Sequence, residues 1–188
     1  MNKHETLALL RQHSTHFEEE KAFLKQTIDF VERNDRFWQR SNLEGHLTGS
    51  AWVLSEEGDA ALLLHHVKLD RWLQPGGHAD DTDASIIETA RREAIEECGI
   101  KDPGLHAPVI FDLDVHEIPA IGHEPAHFHF DLRFLFFVKK DTELTRNLLE
   151  TKAVAWVQVH ELSAETTPQS IRRMALKSWK IERESERF

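Results

Sequence analysis

Residues 92–100 read Arg92-Glu93-Ala94-Ile95-Glu96-Glu97-Cys98-Gly99-Ile100. The run from about Ala84 to Cys98 holds no Gly or Pro and is rich in Ala, Ile, Glu and Arg, so it is expected to be helical. On a helix Glu93, Glu96 and Glu97 stand at i, i+3 and i+4 and point the same way. Ile87, Ala90, Ala94 and Cys98 form an apolar stripe at spacings of three and four, which docks the helix on a sheet. Like charges one turn apart cost a helix a few tenths of a kcal/mol per pair, and a divalent cation removes that cost. Carboxylates without thiols suit Mg2+, which takes oxygen ligands, keeps several waters and bridges carboxylates to phosphates. For three glutamates alone, a solvated acidic face is the plainer reading. The Gly76-Gly77 pair ahead of the segment and Gly99 at its end punctuate it and favour a built site.

Gly77, a polar loop and then Arg92 to Ile100 resemble the signature of the Nudix hydrolases, Gly-x5-Glu-x7-Arg-Glu-U-x-Glu-Glu-x-Gly-U with U a bulky aliphatic. The resemblance implies a loop-helix-loop in which Glu93, Glu96 and Glu97 bind divalent cations, Mg2+ or Mn2+, on a substrate diphosphate. Arg92 would orient the glutamates through a salt bridge, and the Gly77 carbonyl would join the metal shell, where a residue without Cβ lets the backbone approach an ion. The match departs in two places. Fourteen residues separate Gly77 from Arg92 where the signature has thirteen, and the earlier Glu is missing: Ala84 holds its spacing from Arg92, with Asp83 one residue off. Ala94 is also smaller than the usual aliphatic. The extra residue is expected to lengthen the loop 78–83 and leave the helix phase intact, with Asp83 as the helix N-cap.

At 188 residues the chain fits one catalytic domain with a small appendage. It has 40 % hydrophobic content and no long apolar run, which speaks against a membrane partner. A formal charge of -10 speaks against nucleic acid, which needs basic patches. The start Met1-Asn2-Lys3-His4-Glu5 has no apolar signal region, and the single Cys98 cannot form an internal disulfide, so a reducing cytoplasm is expected. Cys98 lies in the apolar stripe and reads as packing rather than as a nucleophile. Relief for an anionic substrate is expected from the metal ions, with Arg71 or Arg133 as further sources.

Residues 15–33 read as a helix, with Thr15 and Glu18 as a capping-box pair and a face of Phe23, Leu24, Thr27, Ile28, Phe30 and Val31. A shorter helix starts near Leu7 to Arg11. The family domain does not require this prefix, so residues 1–40 are set apart as a helical N-terminal extension and residues 41–188 as the hydrolase domain. The prefix could cover the substrate pocket, form a homodimer interface or extend the core. Strands are expected at 46–54, 60–66, 109–115, 128–138 and 153–159, and a last helix opens at Thr167-Pro168. The fold class is α/β (α+β), and the resemblance implies an αβα sandwich with a mixed β-sheet.

His127-Phe128-His129-Phe130-Asp131-Leu132-Arg133-Phe134 alternates with period two. Phe128, Phe130, Leu132 and Phe134 make a core face. The opposite face, with His127, His129, Asp131 and Arg133, is either a solvated strand surface or the floor of a site. Thirteen histidines make chance clusters common, and imidazoles bonded to backbone or water are the plain alternative. His46 opens a strand and His78 follows Gly77. Together with His127, His129 and Asp131 they form a candidate second site for a transition metal or for substrate.

These features lead to one expectation, a divalent-metal-dependent hydrolase of the diphosphate linkage in a small nucleoside diphosphate compound. Water is activated at the metal and attacks phosphorus, and Glu93, Glu96, Glu117, Glu124 and His127 are candidate bases. A binding or regulatory module that keeps the fold and hydrolyses nothing is the alternative. Specificity is expected from residues 119–125, the prefix and Trp72, with Trp38, Trp72 or Trp156 available to stack on a base.

Overall fold

A computed structural model describes residues 1–120, 122 and 125–185, with the side chains of 180 and 182–185 left aside. The elements in chain order are α1 (Lys3–Gln12), α2 (Glu18–Arg33), β1 (Gly45–Ser55), β2 (Ala60–His66), β3 (Arg71–Leu73), β4 (Gly76–His78), α3 (Ile86–Cys98), β5 (Gly104–Leu105), β6 (Asp112–Ile118), β7 (His127–Val138), β8 (Thr151–Gln158), α4 (Val159–Leu162) and α5 (Gln169–Ser185). The eight strands belong to one mixed sheet flanked by helices, an α+β fold. Contacts divide the chain into two compact units, residues 1–50, 76–90 and 108–134 in the first and 51–75, 91–107 and 135–188 in the second. β1, α3 and β7 each run from one unit into the other. Among the described residues no helix is long and apolar enough to cross a membrane.

In the first unit β4 pairs with β1, Thr48 opposite His78 and Ser50 opposite Gly76, and β6 pairs with β7 from Asp112 opposite Arg133 to Ile118 opposite His127. The prefix is built into this unit. Asn2 caps α1 by accepting from the amides of His4 and Glu5. Phe30 of α2 stacks on Phe130 of β7 with ring centroids 4.1 Å apart, and the Leu47 amide donates to the Phe37 carbonyl at 2.7 Å. The expected capping box does not form: α2 begins at Glu18 without a side-chain cap. The Thr15 hydroxyl instead donates to the buried Glu20 carboxylate. That carboxylate also accepts from the Leu113 amide at 3.1 Å and meets His13 Nε2 at 2.9 Å. His13 Nδ1 donates to the Ile110 carbonyl at 3.0 Å. A long-range demand on Thr15 outcompetes the local cap.

α3 begins against β1. A Cβ on Gly49 would lie 2.8 Å from the Ile86 carbonyl oxygen and 3.0 Å from the Ala90 nitrogen, both backbone atoms that cannot swing aside. A Cβ on Gly76 would lie 2.7 Å from Ser50 Cβ. The docked stripe is Ile86, Ala90, Ala94 and Cys98, all buried; Ile86 takes the place expected of Ile87. In the second unit β2 is central, with antiparallel partners β1, β3 and β8. β5 pairs with β7, and Trp52 donates to the Ser178 hydroxyl of α5 at 2.9 Å.

The alternating segment of β7 is buried on its polar side. His127, Asp131 and Arg133 are each 5 % exposed or less, whereas Phe128, expected in the core, is 43 % exposed. Arg133 is not available to an anion. Its guanidinium bonds Asp131 at 2.8 Å, Asp114 at 3.0 Å and Asp112 at 3.1 Å. Burial opposes its charge, but Asp131, Asp112 and Asp114 outweigh burial and hold its pKa above the ordinary arginine value. Arg71 remains exposed on β3.

Gly49→Val is expected to destabilise the fold by about 1–3 kcal/mol, the usual cost of overpacking, because α3 must lift from β1. Urea unfolding followed by circular dichroism checks this.

Candidate active site

The loop leading into α3 is braced by Asp83. Its carboxylate accepts from the Asp80 amide at 2.9 Å and from the Thr89 hydroxyl at 2.8 Å, one turn inside the helix. Asp83 therefore ties loop to helix and is not the expected N-cap. That place belongs to Ser85, whose carbonyl accepts from the Thr89 amide at 3.1 Å and whose hydroxyl faces the Glu88 amide at 3.4 Å. Gly77 lies in β4, opposite Gly49 of β1.

On the second half of α3 the glutamates separate by depth. Glu97 is buried, the Glu93 side chain is 14 % exposed and the Glu96 side chain 53 %. Arg92 Nη1 donates to Glu93 at 2.9 Å and to Glu96 at 3.0 Å, so one guanidinium orients both carboxylates. Burial pushes the Glu93 pKa up; Arg92 pulls against that shift, and the charges of Glu96 and Glu150 add to it. Burial, with help from Glu97, pushes the Cys98 thiol up to about 12, so it stays protonated and inert as packing.

Glu150 escaped the sequence reading. The segment 145–150 closes the C-terminus of α3: the Thr145 amide donates to the Cys98 carbonyl at 3.0 Å and the Asn147 amide to the Glu97 carbonyl at 3.3 Å. This satisfies carbonyls that the helix leaves open and brings the Glu150 charge within reach of Glu93. Gly99, at φ +71, makes the turn possible: a Cβ there would meet Thr145 at 2.6 Å.

The other expected residues fall in the first unit. His46, His78, His127 and His129 come together, with the His78 and His129 Nε2 atoms 3.2 Å apart and those of His127 and His129 3.3 Å apart. Burial is the chief reason that the His78 pKa falls to about 3 and that of His129 to about 2, with neighbouring charged groups pulling the same way. Asp131 is separated from this group by its bonding. It accepts from Thr48 at 3.0 Å, Ser50 at 2.7 Å and Arg133 at 2.8 Å, the environment of a structural ion pair rather than of a ligand. Of the candidate bases, Glu117 is exposed on β6 and Glu124 lies outside the described residues. Trp38 lines a polar recess with Arg40, Asp80 and Asp81, while Trp72 stands exposed beside His65.

A family model described as NUDIX domain matches residues 46–177. Among solved structures, a NUDIX-family hydrolase from Clostridium perfringens is 22 % identical, with a TM-score of 0.53 over 72 % of this chain and 97 % of that one. An Ap4A hydrolase from C. elegans, in a binary complex, is 16 % identical, with a TM-score of 0.56 over 72 % and 96 %. A MutT protein from Methanosarcina mazei Go1 is 25 % identical, with a TM-score of 0.53 over 73 % and 94 %. No curated protein sequence matches significantly.

A carboxyl whose folded pKa exceeds its unfolded value costs nothing below the unfolded value and destabilises increasingly as pH rises through the folded one. Glu93→Gln is therefore expected to raise the metal-free Tm at neutral pH, with the gain over wild type shrinking to nothing as pH falls below 4.5, the ordinary value of a glutamate. Thermal melts in chelator across that range check it.

Proposed function

The chain belongs to the NUDIX family of hydrolases acting on pyrophosphate bonds, and from that premise we propose that it is a Mg2+- or Mn2+-dependent enzyme that splits the diphosphate of a small nucleoside diphosphate compound. The observation that carries this reading is the destabilised Glu93. It is a carboxylate held partly buried beside Glu96 and Glu150, with Arg92 as the counter-charge it shares with Glu96. Clustered carboxylate oxygens, with no thiol or imidazole among them, are the donor chemistry of a hard cation. Glu93, Glu96 and Glu97 would hold it, and the resemblance adds the Gly77 carbonyl.

When bound, such a cation neutralises the diphosphate and lowers the pKa of a coordinated water. The chain's own residues do the rest. Arg92 fixes the carboxylates of Glu93 and Glu96 so that neither must reorganise when charge builds at phosphorus. A carboxylate held above its ordinary pKa by burial is a stronger base, which suits Glu93 to take the proton from water. The products are a nucleoside monophosphate and a phosphorylated remainder. A cytoplasmic setting fits the single buried Cys98.

Glu97→Gln is expected to lower kcat on the order of 10²-fold or more, measured as phosphate-ester release at saturating Mg2+. The substrate panel covers ADP-ribose, dinucleoside polyphosphates, oxidised dNTPs, sugar nucleotides and NADH. Unchanged turnover in the variant refutes the assignment of Glu97. A wild-type chain that is thermally stabilised by a panel member but releases no product is a binding module instead.

A further inference from the structure

Four imidazoles meet inside the first unit, delivered by three strands: His46 from β1, His78 from β4, and His127 and His129 from β7. The His46 ring centroid lies 4.9 Å from that of His78, 5.0 Å from His127 and 4.9 Å from His129, and its side chain is buried. One ligand atom from each of His46, His127 and His129 falls within 4.8 Å of the other two. Period-two alternation puts His127 and His129 on the same side of β7, and the pairing of Thr48 with His78 brings β4 alongside β1.

The short contacts have a geometry that protons serve poorly. His127 Nδ1 lies 2.9 Å from the Pro125 carbonyl oxygen and must donate to it. In the neutral ring its Nε2 then presents a lone pair to His129 Nε2 at 3.3 Å, while His78 Nε2 sits 3.2 Å from that same atom. His129 Nε2 is thus flanked by two ring nitrogens, and a single proton there would have to serve both contacts. A cation serves all of the lone pairs at once. In a tetrahedral site with metal–nitrogen bonds of about 2.0–2.1 Å, neighbouring ligand nitrogens stand about 3.3–3.4 Å apart. The two separations that meet at His129 Nε2 lie within about 0.2 Å of that edge; His46, His127 and His129 form the mutually close group, and His78 would complete the shell by closing on it from β4. The Pro125 carbonyl on His127 Nδ1 is also the second contact by which proteins fix the tautomer and direction of a ligating imidazole.

We propose that His46, His78, His127 and His129 bind one transition-metal ion of the zinc class in a closed, structural site that pins β1, β4 and β7 together. An all-imidazole donor set selects Zn2+, Co2+, Ni2+ or Cu2+ over Mg2+. The nearby Asp131 carboxylate is taken by Thr48, Ser50 and Arg133. The site stands independently of the glutamates of α3.

The test uses the full chain, freed of any polyhistidine tag and stripped with chelator, carrying E93Q, E96Q and E97Q so that the helix cannot contribute. Titration with Co2+ is expected to reach one ion per chain and give the intense visible absorption of tetrahedral cobalt. Zn2+ should abolish that absorption and raise Tm, whereas Mg2+ should do neither. Adding H127Q and H129Q is expected to remove the absorption. If that variant does not fold, X-ray absorption of the zinc-loaded parent decides, with a shell of four imidazole nitrogens supporting the site and an oxygen-dominated shell overturning it. Absence of both the cobalt spectrum and the zinc-dependent rise in Tm shows a purely hydrogen-bonded histidine cluster and overturns the proposal. An unchanged spectrum in the folded histidine variant does the same.

Discussion

Gly49 sets where α3 begins. The missing side chain lets the backbone of Ile86 and Ala90 come within van der Waals reach of β1, and Asp83 fastens the preceding loop to Thr89 in the same turn. A helix is stiff over thirteen residues, so the phase fixed at Ile86 carries through to Cys98. The same rotation that buries Ile86, Ala90, Ala94 and Cys98 leaves Glu93 and Glu97 partly or wholly shielded and Glu96 outside. Shielding is what makes Glu93 costly as a bare anion.

Buried charge recurs in this fold, each time with a full set of partners. Arg133 takes three aspartates from β6 and β7, and Glu20 takes a hydroxyl, an amide and an imidazole. Such groups add little net stability compared with apolar packing, but breaking one partner leaves an uncompensated charge. The Arg133 bonds join β7 to β6, and those of Glu20 join α2 to β6, so these groups fix the pairing of elements as well as occupy space. The glutamates of α3 differ in that Arg92 is shared between Glu93 and Glu96 and the pKa of Glu93 still rises.

Much of this was legible in the sequence where the signal is local and periodic. The run 84–98 announced its helix, and 60–66 and 128–138 their strands. Where a residue serves a distant partner, local reading failed: Thr15 answers Glu20 instead of Glu18, and Asp83 braces Thr89 instead of capping. β3, β4 and β5 span two or three residues, too few to show a period. The alternation from His127 to Arg133 disclosed a polar side but not that it is interior, because burial there depends on Asp112, Asp114 and Thr48 from other strands. Glu150 had no motif to mark it; it reaches α3 only because the segment 145–150 caps the helix. Contacts group the prefix with residues 76–90 and 108–134.

The central claim is that the acidic side of α3 holds a hard divalent cation. Anomalous diffraction from a crystal soaked in Mn2+ tests it most directly. A manganese peak bonded to carboxylate oxygens of Glu93 and Glu97 is the predicted result. Fully soaked crystals with those two carboxylates turned away from each other and no anomalous density between them would contradict it.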